Sequence, residues 1–184
     1  MGVKELFSAI FTVLFRYRKF WRELKEEALS EELHELKDYA VPVIAMVQLC
    51  KFPLIGLPRQ AMFFALANFL IDVAALYLLI GGTAYLLERE HLEHIQDRML
   101  KIVCYSMTPV WLFELLYFTG IWSWLFAFLA LFYMLLIGRN GMAVMLEFYT
   151  GIAGKTLRNT ALFVVTVNTS VFLLIRAVMR LFNF

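Results

Sequence analysis

Six polar residues sit inside stretches of the chain that are otherwise almost wholly apolar: Lys51, Asn68, Asp72, Glu114, Asn168 and Arg176. Ionisable groups in such surroundings are costly, and where they persist they mark ion pathways, proton relays or mutually neutralising pairs. Two bases and two acids are present, so full neutralisation is arithmetically open to them. Counted along their segments, Lys51, Glu114 and Arg176 fall at similar depth, in the outer third. Asp72 lies nearer the middle, one helical turn from Asn68 and on the same face. Two readings follow. The charges pair structurally, with Lys51 and Arg176 snorkelling to an interface, or they line a polar cavity for a proton, an ion or a lipid head group.

Other residues that could do chemistry are less promising. His91 and His94 are three apart, with Glu88, Glu90 and Asp97 nearby, but the zincin spacing of two histidines at i and i+4 is missing. Alternating charges are ordinary in a solvated turn, so no metal is expected there. Ser106, Ser123 and Ser170 have no histidine near them in the sequence, and no glycine-rich phosphate loop occurs; Gly81-Gly82 lies in a hydrophobic segment, where close helix packing is its expected use. Cys50 and Cys104 both fall in apolar runs, as small buried hydrophobes or as an inter-helix disulfide. No catalytic residue, metal site or cofactor is expected, and the chain reads as a non-enzyme.

The elements that must position these residues are set by solvation. Of the 184 residues 62% are hydrophobic and 17% charged, with a mean hydropathy of +0.73; soluble domains run at about 45–50% and about 25%. A core of this size cannot hide so much apolar surface, and lipid must cover the rest. The expected fold class is therefore all-α, a polytopic membrane helical bundle with the lipid bilayer as its main partner. A crossing of about 30 Å needs roughly 20 residues, which gives five transmembrane helices at 39–57, 61–87, 101–119, 121–138 and 159–181. Pro58 and Gly120 mark very short turns, and Gly138-Arg139-Asn140-Gly141 is expected to end the fourth helix.

Residues 1–38 precede this domain (39–184) as an amphipathic helical segment. Val3, Phe7, Ile10, Leu14, Tyr17, Trp21 and Leu24 form an apolar stripe at helical spacing, with Lys4, Arg16, Lys19 and Arg22 off it. Such a helix lies in the membrane interface, packs on the protein's own cytoplasmic face or captures a partner helix. Ser30 is an expected N-cap for a second piece through Leu33, Leu36 and Ala40. The net charge of +2 gives no reason to expect nucleic acid. Its distribution does carry information: the N-terminal segment holds seven bases, and the 88–100 and 139–158 connections with Lys101 hold three each, thirteen of the 17 Lys+Arg. The positive-inside rule then puts the N-terminus in the cytoplasm and the C-terminus outside or in a lumen.

The strongest local signal is Tyr105-Ser106-Met107-Thr108-Pro109. Pro109 removes a backbone donor and disfavours helical angles at Thr108, so a kink or break is expected, with Ser106 and Thr108 hydroxyls bonding the freed carbonyls. With Lys101 before it, an apolar hairpin after it, and Leu131-Phe132-Tyr133 running on to Gly138, this element resembles the Yip family of five-span membrane proteins, named for interaction with Ypt/Rab GTPases and present in bacteria and archaea too. The resemblance covers roughly residues 39–184. The N-terminal segment is shorter than in eukaryotic members and lacks a counterpart of their partner-binding region, which fits a prokaryotic member.

The resemblance implies a membrane organisation or trafficking-type adaptor or scaffold, with Tyr105, Ser106, Thr108, Pro109, Tyr133 and Gly138 as architectural positions. The expected function is accordingly non-enzymatic, through a homo-oligomer packed on small residues at Ala61, Ala65, Gly81 and Gly82, or a protein partner held by the N-terminal helix. The alternative is a small transporter, channel or lipid translocase using the polar intramembrane residues.

Overall fold

A computed structural model describes residues 2–27, 36–55, 58–88, 95–146 and 154–181. All its regular structure is helical: α1 (Val3–Phe15), α2 (Tyr17–Glu27), a short π-helical turn (Leu36–Ala40), α3 (Val41–Cys50), α4 (Phe52–Ile55), α5 (Pro58–Glu88), α6 (Ile95–Ser106), α7 (Thr108–Phe113), a 3-10 stretch (Glu114–Trp122), α8 (Ser123–Met145) and α9 (Gly154–Leu181).

Among the described residues four helical stretches are long and apolar enough to cross a membrane: Asp38–Ile55, Pro58–Leu87, Ile95–Met145 and Gly154–Leu181. The third, at 51 residues, would extend about 75 Å if straight, more than twice the hydrocarbon thickness. It folds back instead. Thr119 and Gly120 leave helical angles, and Gly120 takes φ +67 and ψ −118, a conformation that glycine alone adopts without strain. Phe113 meets Phe126 with ring centroids 6.3 Å apart, a Cβ on Gly138 would lie 3.6 Å from Ser106 Oγ, and Arg98 Nη1 donates to Met145 O at 3.1 Å. These pairs are nested about Gly120, as an antiparallel hairpin requires. The bundle thus has five apolar rods, in agreement with the sequence reading.

The outer surface is what lipid demands. Leu66, Leu70, Leu78, Phe128, Phe132, Leu162 and Leu174 are all exposed, and Ile121 at the hairpin tip is 83% exposed. Uncovered apolar surface on this scale is not found on soluble monomers, and the backbone polar groups beneath it are satisfied within helices. The chain is a multi-pass membrane protein by these criteria.

Three expectations are revised. The fourth rod does not end at Gly138–Gly141 but runs on to Met145, because Gly141 serves close packing: a Cβ there would lie 2.7 Å from the Trp21 ring. The N-terminal amphipathic stretch is two helices, broken at Arg16 (φ −132, ψ 33). Ile10, Trp21 and Leu24 of the expected stripe are buried, but in α1 the stripe is re-phased, with Leu6 and Val13 buried and Phe7 54% exposed. The small-residue surface expected to pack an oligomer is only partly open, with Gly81 exposed and nothing within reach of a Cβ there. Ala61 and Ala65 are buried, and Gly82 is filled from α9 by the Phe163 ring. Ser30 with Leu33, and His91 with His94, lie outside the described residues.

Candidate functional site

The polar site is built at a proline interruption on the first rod and a change of helix type on the third. Pro53 cannot donate to the carbonyl four residues earlier, and the first rod breaks at Lys51 between α3 and α4. Lys51 keeps near-helical angles, φ −76 and ψ −20, and its side chain is buried in the bundle. On the third rod Pro109 interrupts the helix at Met107 alone, which stays near helical angles (φ −70, ψ −14); the expected break is a single-residue interruption. Beyond α7 the chain tightens into the 3-10 stretch that begins at Glu114.

There the structure brings together four side chains. Lys51 Nζ lies 2.6 Å from Glu114 Oε2 and donates to Gln48 Oε1 at 2.9 Å. Gln48 Nε2 donates to Asp72 Oδ2 at 2.7 Å and reaches Glu114 Oε2 at 3.5 Å. Lys51 and Glu114 are 1% exposed, Asp72 2% and Gln48 3%, so the ammonium does not snorkel. The Phe64 ring lies 5.8 Å from Nζ to the centroid, within cation–π range. Asn68, one turn before Asp72 on α5, is fully buried, and neither amide atom has a partner among the described residues; the same holds for Glu114 Oε1.

Two of the six anticipated residues stand apart. Arg176 Nη1 donates to Gly120 O at 3.2 Å and to Ser123 Oγ at 3.0 Å, pinning the hairpin turn instead of joining the acids. Asn168 turns its Nδ2 back to Val164 O at 2.9 Å. Gln48, which bridges the two carboxyls, went unrecognised in the sequence. The available signal was its place three residues before Lys51 on one helical face.

The Tyr105–Pro109 element builds a second locus at the other end of the rod. Pro109 leaves the Tyr105 carbonyl without a helical donor, and Thr108 Oγ1 supplies one at 2.8 Å. Having donated there, Thr108 accepts from Tyr39 Oη at 2.7 Å. Ser106 Oγ donates to Val103 O at 3.3 Å. The Tyr105 ring stacks among Tyr39 (4.4 Å), Phe20 (4.7 Å) and Trp21 (6.2 Å). Trp21, fully buried, donates Nε1 to Ile137 O at 3.2 Å, and Tyr133 Oη donates to Leu14 O, a carbonyl orphaned by the break at Arg16. The motif positions therefore converge on the N-terminal helices and dock them. Replacing Thr108 by Val would leave Tyr39 Oη and Tyr105 O buried without their partner. A loss of about 1–3 kcal/mol is expected, read as a lowered unfolding midpoint in detergent, with Thr108→Ser close to wild type.

Cys50 is exposed and Cys104 buried, and they are not joined to each other in a disulfide. No protein-family model, curated protein or solved structure matches this chain.

Proposed function

We propose that the chain is a non-enzymatic membrane-organising protein, an adaptor or scaffold of the kind the Yip resemblance implies. The supporting observation is the two-sided α1. Its Leu6–Ile10–Val13 face is buried on the bundle, while Phe7, Phe11 and Phe15, at 54%, 57% and 70% exposure, form an outward stripe. Exposed Lys4, Arg16, Arg18, Lys19 and Arg22 flank that stripe. Aromatic side chains bordered by bases suit the boundary between acyl chains and anionic head groups. The distribution of basic residues puts this end in the cytoplasm, with the C-terminus outside or in a lumen. A rigidly docked helix wedged into one leaflet expands that leaflet and bends the bilayer. A homo-oligomer would have to use faces other than Ala61, Ala65 and Gly82, which are occupied within one chain.

The test is reconstitution into vesicles containing anionic lipid. Wild-type protein is expected to shift the vesicle population to smaller radius. The Phe7→Ser, Phe11→Ser, Phe15→Ser triple variant, with unchanged helical circular dichroism, should not. Wild-type vesicles identical in size to protein-free ones would overturn the proposal.

The alternative, a small transporter or channel, is favoured by one observation, the buried charged cluster at the proline interruption of the first rod. Ion flux through the reconstituted wild type would decide for it.

A further inference from the structure

The Lys51 cluster is one positive charge short. With every group ionised, Asp72 and Glu114 contribute two negative charges and Lys51 one positive. Arg176, the other base expected nearby, is committed to Gly120 and Ser123. Among the described residues Tyr117 is also buried and feels the charge of both carboxyls, but a phenol cannot supply positive charge. A net charge held at 1–3% exposure in the middle of a helical bundle is not a stable arrangement.

A second observation, independent of the charge count, points the same way. Glu114 Oε1 is buried with no partner among the described residues, although Oε2 of the same carboxyl takes Lys51. Asn68, fully buried one turn from Asp72, likewise has both amide atoms, the acceptor Oδ1 and the donor Nδ2, unpartnered among the described residues. Buried acceptors in folded proteins are nearly always satisfied. A carboxylate oxygen, a second carboxylate and an amide carbonyl are hard oxygen donors.

We infer that the Gln48–Lys51–Asp72–Glu114 cluster, with Asn68, is a binding site for one monovalent cation, supplied either as a proton or as a sodium ion. A divalent ion would over-neutralise the site by one charge. Lys51 acts as the fixed counter-charge, and Gln48 orients the two carboxyls. Occupancy requires no turnover, so the inference stands whether or not the protein bends membranes or conducts ions.

The experiment uses full-length wild-type protein in detergent at constant ionic strength. Thermal unfolding is compared in sodium chloride and choline chloride, and the infrared spectrum is recorded at neutral pH in the absence of sodium. A saturable rise in melting temperature of several degrees with sodium identifies the ion as Na+. An unchanged melting temperature, together with a protonated-carboxyl C=O band that shifts in D2O, identifies it as H+. Asp72→Asn is expected to remove whichever signal is present; should it fail to fold, the wild-type comparison alone carries the test. Neither signal in the wild type overturns the inference.

Discussion

Lys51→Met is expected to destabilise the bundle by about 3–5 kcal/mol, the cost of stranding a buried charge by removing its partner. The substitution roughly keeps the volume of the side chain but removes the ammonium donor from Gln48 Oε1 and from Glu114 Oε2, leaving the latter only the 3.5 Å approach of Gln48 Nε2. Because Lys51 is 1% exposed, solvent cannot relieve the loss. The Lys51→Met, Glu114→Gln double variant removes both opposite charges and is expected to regain most of the stability. A double-mutant cycle of unfolding midpoints in detergent measures this coupling. A single variant as stable as wild type, or a cycle with no coupling, would show that the pair carries no weight. An exposed snorkelling lysine would give that null result, which is why burial of the ammonium matters more here than its presence in the span.

The second large effect concerns the docking of the N-terminal helices. Trp21 fills the space that Gly141 leaves, with its indole hydrogen-bonded to Ile137 O and its ring against Phe20 and Tyr105. Truncating a fully buried tryptophan costs about 3–5 kcal/mol. Tenfold in an equilibrium corresponds to about 1.4 kcal/mol, so Trp21→Ala should raise the undocked population by about two to three and a half orders of magnitude. Gly141→Val should act from the other side, because its Cβ meets a rigid ring at 2.7 Å on a helix whose backbone cannot retreat. Limited trypsin digestion reads both, since Arg16, Arg18, Lys19 and Arg22 offer exposed cleavage sites. Faster N-terminal cleavage with an intact remaining bundle is the expected pattern. Cleavage at the wild-type rate in both variants would mean that α1 and α2 are held by something other than Trp21.

These two loci share a construction. Each is placed where a proline denies a helix one hydrogen bond: Pro53 beside Lys51, and Pro109 beside Thr108. In lipid the freed backbone groups must find partners within the protein, so polar side chains gather at the interruption. Thr108 answers its proline locally, within one turn. Lys51 instead turns its side chain inward and recruits acids from two other rods.

Much of this was determined by the sequence alone. Long apolar runs require hydrocarbon around them, and periodicity with short turns at Pro58 and Gly120 delimits the rods, because backbone satisfaction in lipid leaves helices as the only option for such a chain. The Thr108–Tyr105 hydrogen bond was equally legible, since donor and acceptor are three residues apart and the missing proline N–H is visible in the sequence. Only tertiary structure decided which polar residues meet. Lys51 and Glu114 share a depth with Arg176 in a linear count, with Asp72 nearer the middle, but depth does not specify azimuth, and rotation about the helix axes sends Arg176 to the hairpin turn and Gln48 into the cluster. The same reason underlies the re-phased α1 stripe. A helix with apolar residues on two faces can bury either, and only its contacts with distant parts of the chain settle which face turns inward.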